Sequence, residues 1–288
     1  MRLPPNAVTS FLLPIAVLAS ACSAKPSDEQ AGASVSASAT SGVVLGAVAP
    51  GAAAAASAMA VPAIGVARSE AESNDLYEFE YAYPAAAGGI AALKASLDTE
   101  LEKTRSSLRA DAKEQKAEAA KENFPFRALS HYVAWKVVTD LPGWLSLSAE
   151  VSTYEGGAHP NHGFEAMVWD RSANQRRDPK DLFVSNAALS RAIRPAFCRE
   201  IDRQRARKRG EPVKAGGDEL FTDCIDPLAS TVILGSSNRR TFDRVGILVG
   251  PYEAGPYAEG DYEVTLPVTA AVLAAVKPEY RASFATGR

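Results

Sequence analysis

The sequence predicts an α+β chain: antiparallel β-sheets packed with a long N-terminal helix and a second helix, arranged as two small subdomains. Three observations carry this. Period-2 runs such as Leu145, Leu147, Ala149 and Val151, alternating with Ser146, Ser148, Glu150 and Ser152, recur along residues 76–266. Two stretches instead repeat apolar residues every three or four positions. The last third of the chain is β-rich, with strand-like runs at 231–234, 245–249 and 262–266.

The chain begins before this folded part. Arg2 precedes the apolar run 11–18, which ends in Leu18-Ala19-Ser20-Ala21-Cys22. That run is shorter than the ~20 residues a membrane span needs, and small residues before a processing point mark a signal peptide. Residues 1–21 are therefore expected to be a signal peptide. Small residues directly before Cys22 resemble a bacterial lipobox, with leucine at 18 rather than at the usual 19. Cys22 is the expected lipidation site; ordinary secretion and an uncleaved anchor are the alternatives. Residues 22–68 follow as an Ala/Ser/Gly-rich tether, uncharged from Val43 to Ala67. Gly46, Pro50, Gly51, Pro62 and Gly65 break that stretch, so a flexible linker is favoured over a transmembrane helix. As a random coil it would reach roughly 35–40 Å.

The first subdomain is expected over 69–163. Leu76 to Pro84 alternates aromatic and acidic residues and reads as a strand ended by proline. Ile90, Leu93, Leu97, Leu101 and Leu108 lie on one face of a long helix running to Asn123. Residues 131–138 and 145–152 form a strand pair through Asp140-Leu141-Pro142-Gly143, with His131 on the face of Val133 and Trp135. The second subdomain, 164–288, opens on strand 164–169, which ends at DPKDLF (178–183). Leu189, Ile193, Phe197 and Ile201 give a second helix with a bend or start near Pro195. It runs into Arg203, Arg205, Arg207, Lys208 and Arg209, read as a solvated helix end favoured by the dipole. Strands at 231–234, 245–249 and 262–266 and a short helix at 269–276 complete it.

Composition limits the functions available. The formal net charge is −3, which exerts no global pull on nucleic acid, and the basic helix end has no interleaved aromatics. No nucleic-acid partner is expected, and contact with a membrane is expected through the lipid anchor alone. No G-x-S-x-G elbow, phosphate-binding G-x-x-x-x-G-K or dinucleotide fingerprint is present. With Cys22 acylated, Cys198 and Cys224 remain as an even pair in an oxidising compartment, so a disulfide is expected, with two buried thiols as the alternative.

Two loops carry the unusual residues. TYEGGAHPNHGF (153–164) holds His159 and His162, two of the three histidines, beside Gly156 and Gly157. A pair of histidines needs a third ligand to hold zinc, and Pro160 argues against the helical H-E-x-x-H arrangement. The reading favoured is a structural loop pinned by His159 bonding backbone or a carboxylate. Ligand contact and acid–base or metal chemistry remain open. The other loop, residues 250–260, offers Tyr252, Glu253, Pro256, Tyr257 and Gly260 between glycines and prolines. Its rings either cap the sheet or meet a ligand.

YEGGAHP, a strand, DPKDLF, a helix and then PYEAGPYAEG resemble, in that order, the paired extracytoplasmic domains of the RsiV and PdaC type, over roughly 73–275. The resemblance implies an α+β module outside the cytoplasmic membrane. In the anti-sigma-factor branch such a module binds lysozyme; in the deacetylase branch it sits beside a separate domain acting on peptidoglycan. Neither an anti-sigma segment nor a deacetylase domain is expected in these 288 residues. Pro160 and Asn161 replace the glycine or small polar residue usual after that motif. The expectation is a cell-envelope lipoprotein, exported and held at a membrane surface, that binds lysozyme or a peptidoglycan-associated ligand without catalysis. No cofactor or metal is expected. The alternatives are a cell-wall glycan hydrolase or deacetylase-like enzyme using His159 and His162, and an envelope scaffold protein.

Overall fold

The computed structural model describes residues 65–214 and 220–288. The expected signal peptide, Cys22 and all but the last residues of the tether lie outside the described residues. Among the described residues no helix is long and apolar enough to cross a membrane.

Six strands form the first sheet in chain order: β1 (Arg68–Ser73), β2 (Tyr77–Tyr83), β3 (Leu129–Asp140), β4 (Trp144–Tyr154), β5 (Asn161–Asp170) and β6 (Gln175–Arg177). Between β2 and β3 come a single turn, α1 (Ala85–Gly88), and the long helix α2 (Ala91–Lys121). The alternation read along residues 77–83 places Tyr77, Phe79, Tyr81 and Tyr83 inward, each at most 2% exposed. Leu93, Leu97 and Leu101 of α2 pack on them, with Trp135, Leu147 and Met167 from the neighbouring strands.

Two features differ from the expected antiparallel sheet. β2 and β3 pair parallel, Phe79 opposite His131, because α2 carries the chain back along the sheet before β3 begins. A parallel neighbour needs such a crossover. β1 is an edge strand preceding the first one expected. Its alternation sets Glu70 and Glu72 against serine and alanine, so it lacks the apolar face by which strands are recognised.

The second sheet is antiparallel, β7 (Thr231–Gly235), β8 (Arg244–Val249) and β9 (Tyr262–Pro267). It packs with α3 (Asn186–Arg209) and α4 (Ala270–Ala275) around Leu189, Ile193, Phe197, Ile201, Ile247 and Val264. Ser185 caps α3, its side chain accepting from the Ala188 amide at 3.1 Å. Pro195 lies inside the helix rather than at its start. It is exposed, so the carbonyl left without its bond faces water, which lowers the cost of the proline. DPKDLF folds as a 3-10 turn, Pro179–Leu182, with Asp178 and Asp181 forming a capping box.

The division expected at 163/164 falls within β5, whose pairing with β4 runs unbroken from Asn161 to Asp170. Among the described residues there are two hydrophobic clusters, but they are not split there. Leu141, from the turn between β3 and β4, and Trp144 and Val168, from strands of the first sheet, pack in the second cluster. Trp144 lies 6.0 Å from Phe242 and 5.8 Å from Tyr280, ring centre to ring centre, and donates its indole N–H to Ser283 Oγ at 2.9 Å.

Candidate functional site

The fold brings the two unusual loops together. β4 and β5 form a hairpin whose connection carries Glu155 to Pro160, while the loop from Gly250 to Asp261 joins β8 to β9. Gly156 and Gly157 turn the first connection at φ of 96° and 99°, a conformation that a side chain would strain. Tyr154 braces it, donating its hydroxyl to the Gly157 carbonyl at 3.1 Å.

Three rings then stack across the junction. His159 lies 4.4 Å from Tyr257 at 35°, and Tyr257 lies 5.6 Å from Tyr252, again at 35°. The His159 Nδ1 meets the Pro160 carbonyl at 2.7 Å, so this nitrogen carries the proton. Its Nε2 is then free to accept from the Tyr252 hydroxyl, 3.4 Å away. Tyr257 donates to the same Pro160 carbonyl at 3.1 Å. Tyr252 is 51% exposed and sits at φ 66°, a left-handed conformation that costs a bulky residue on the order of 1–2 kcal/mol.

His162 is on β5, not in the loop, and is half-buried. Its Nε2 meets Asp261 Oδ1 at 2.7 Å, and its ring stands edge-on to Tyr257 and Phe164. The Nε2 atoms of the two histidines thus take different partners. Among the described residues no group of three or more His, Cys, Asp or Glu side chains could hold a metal ion.

Beneath the stack, the second loop is fastened to α3. Arg205 is fully buried. It donates to the Ala254 carbonyl at 2.8 Å and the Asp223 carbonyl at 3.0 Å. Lys208 reaches the Glu259 and Asp261 carbonyls and lies 4.0 Å over the Tyr262 ring. Arg209 grips the Glu259 carboxylate at 2.8 and 3.2 Å. Burial alone would raise the Glu259 carboxyl, but hydrogen bonds from Arg209 and Tyr262 outweigh it and hold it below its ordinary value. Burial and Glu259 together push the Tyr262 hydroxyl up to about 12. Arg205, Lys208 and Arg209 therefore form a clamp, while Arg203 and Arg207 stay exposed and pair with Glu200 on the same helix. The stripe Leu189, Ile193, Phe197, Ile201 continues in steps of four to Arg205 and Arg209, and that spacing was the readable sign.

The other expected positions are also placed. Glu253 accepts from Ser230, which is buried behind the loop. Pro256 starts the 3-10 turn Tyr257–Glu259, and Gly260 ends it at φ 63° and ψ −154°, a region open to glycine. Cys198 and Cys224 are disulfide-bonded, with Cα atoms 5.4 Å apart. His131 lies on β3, facing α2, and takes no part in the ring stack; burial lowers its pKa. Asp261, the partner of His162, carries no motif that marks it in the sequence. What the arrangement offers chemically is a partly exposed face of three rings with hydroxyls at its rim, set on a rigid base.

The family model described as "Deacetylase PdaC" matches residues 70–162, which include the first loop and stop short of the second. Several solved structures resemble the chain, two of them DUF3298 proteins. A DUF3298 family protein from Pseudomonas aeruginosa PAO1 is 18% identical, with 78% of this chain and 98% of that one covered at a TM-score of 0.45. A DUF3298 family member from Bacteroides fragilis NCTC 9343 is 15% identical, with 72% and 92% covered at a TM-score of 0.42. No curated protein matches the chain. Over residues 70–162, then, the chain is similar to the PdaC family.

Proposed function

We propose that this chain is a binding module of the cell envelope, exported and lipid-anchored at Cys22, that recognises lysozyme or a peptidoglycan-associated ligand without catalysing a reaction. The observation that carries this is the His159–Tyr257–Tyr252 stack, exposed at its outer edge and anchored from below by Arg205, Lys208 and Arg209. Rigid aromatic faces with polar rims suit both sugar rings and protein hot spots, because they lose little conformational freedom on binding. The strained backbone of Tyr252 agrees with this: a costly conformation holds a half-exposed ring at the edge of the stack.

The acidic stretch Glu70, Glu72, Asp75, Glu78 and Glu80 is a weaker contact candidate for a basic protein. Glu70 pairs with Arg68, Glu72 with Arg109 and Asp75 with Lys116. Most of its charge is thereby balanced locally, and the remainder can steer encounter more than it can hold a partner.

The test is calorimetric titration of the full chain with lysozyme and with soluble peptidoglycan fragments, at low and physiological salt. Saturable binding by either, weakened at least tenfold by Tyr257→Ala, is the expected result; a truncated interface ring typically costs about 1–2 kcal/mol or more. Binding that ignores Tyr252→Ala and Tyr257→Ala alike would remove the ring stack from the reading. Hydrolase or deacetylase chemistry has one observation in its favour, the His162–Asp261 pair. It predicts turnover of glycan fragments that His162→Ala abolishes in a folded protein. An envelope scaffold role is what remains if neither ligand binds and nothing is turned over.

A further inference from the structure

α2 changes character halfway along. Leu93, Leu97 and Leu101 are fully buried against the sheet. Beyond them the sheet-facing side turns polar, with Thr104, Ser107, Asp111 and Gln115 interrupted only by Leu108 and Ala112. At 31 residues the helix is about 46 Å long, and its second half stands off from the ends of β3 and β4. The space left is an open groove of about 800 Å³, within the ~300–1,000 Å³ range of ligand sites.

The groove has an apolar floor and charged walls. Leu108 and Leu129 supply the floor, with His131 beside them. Among the described residues the His131 side chain has no hydrogen-bond partner, and burial lowers its pKa against the opposing pull of Glu155, which leaves the ring neutral and one nitrogen able to accept at neutral pH. Asp111, Glu114 and Glu155 have no cationic partner among the described residues, and they outnumber the single lysine of the lining, Lys103. Glu100, at one end, is already held by Arg176 and Tyr81. A helix stripe kept polar where core packing would be gained, over a cavity of ligand size, marks a site whose composition serves something other than stability.

From these walls and this floor, we infer that the α2 groove binds a short peptide segment carrying lysine or arginine. The alkyl stem lies along Leu108 and Leu129 and the cationic head reaches Asp111, Glu114 and Glu155. Long basic side chains divide in this way, with the stem on apolar surface and the charge at a polar edge. An anion is disfavoured by the three carboxylates and an apolar ligand by the polar seam. The groove is separate from the ring stack. It meets the first loop at Glu155 and at Gly156, whose position lies within van der Waals reach of Gln115.

The test uses the full chain and fluorescein-labelled tri-lysine amide, followed by anisotropy, with unlabelled tri-lysine and tri-glutamate as competitors. Saturable binding displaced by tri-lysine alone is expected. Asp111→Asn with Glu114→Gln should weaken it at least about tenfold, as loss of two charged contacts implies, while Glu78→Gln with Glu80→Gln on the opposite face changes it less than about twofold. Thr104→Trp fills the groove at constant charge and should abolish binding, with circular dichroism confirming the fold. Equal weakening by both charge pairs, binding that survives Thr104→Trp, or no saturation at millimolar peptide would each overturn the inference. Because no ring of the stack takes part, the outcome is independent of the lysozyme and glycan titrations.

Discussion

Removing the Cys198–Cys224 bond should destabilise the protein by about 3.5 kcal/mol, mostly through the unfolded chain. The bond closes a loop of 26 positions, and the chain-entropy relation gives roughly −12 cal/mol/K for that length, hence about 3.5 kcal/mol at 25 °C. The structure explains why little should be lost on the native side. Arg194 donates to the Cys224 and Ile225 carbonyls at 2.8 and 3.1 Å, and Arg205 holds the Thr222 and Asp223 carbonyls. The strand of chain that Cys224 occupies is thus fixed by guanidinium groups as well as by sulfur. The assay is urea unfolding of Cys198→Ala/Cys224→Ala against the parent, followed by fluorescence of the three tryptophans. The midpoint should fall, the slope should rise slightly as the unfolded chain expands, and the near-UV spectrum of the native protein should be unchanged. A loss under about 1 kcal/mol, or a changed native spectrum, would refute the entropic account.

Other perturbations test other parts of the structure. Leu97→Ala empties a fully buried site between α2 and the tyrosines of β2 and should cost about 3–4 kcal/mol in the same urea assay. Arg209→Met breaks a mostly buried two-bond grip on Glu259; about 2 kcal/mol is expected, with faster hydrogen exchange confined to 250–261. Asp98 gives a pH dependence: burial pushes its carboxyl up, but hydrogen bonds from Lys94, Tyr83 and Arg68 prevail and hold it at about 2. A carboxyl depressed on folding contributes stability above its unfolded pKa of about 3.9, and that contribution is lost as the pH falls through about 2. Asp98→Asn should therefore flatten the stability profile between about pH 4 and 2, and an unaltered acid limb would show that these bonds contribute nothing.

How far the sequence could be read depended on how local each signal was. The aromatics of β2 and the leucines of α2 repeat within a few residues, so strand and helix were legible. The direction of β3 depends on where a 31-residue crossover ends, and no residue in β3 records it. Serine, alanine and paired charge hid β1. Glycine and proline marked both loops of the site, but their meeting depends on the hairpin and the second sheet packing together, 93 positions apart at His159 and Tyr252. The clamp of α3 is half visible: a basic run at a helix end reads as solvated, as Arg203 and Arg207 are, but Arg205 and Arg209 stand on the apolar stripe.

Trp144 has a consequence for how such a chain can be cut, borrowed or inherited. Its backbone belongs to one sheet and its ring to the other sheet's interior. Separated at 163/164, one piece would carry a bare indole and half a hairpin, and the other an empty socket lined by Phe242 and Tyr280. Neither is a portable part. Recombination that moves one half between proteins must carry the other with it, and calorimetry should record a single melting peak for the pair.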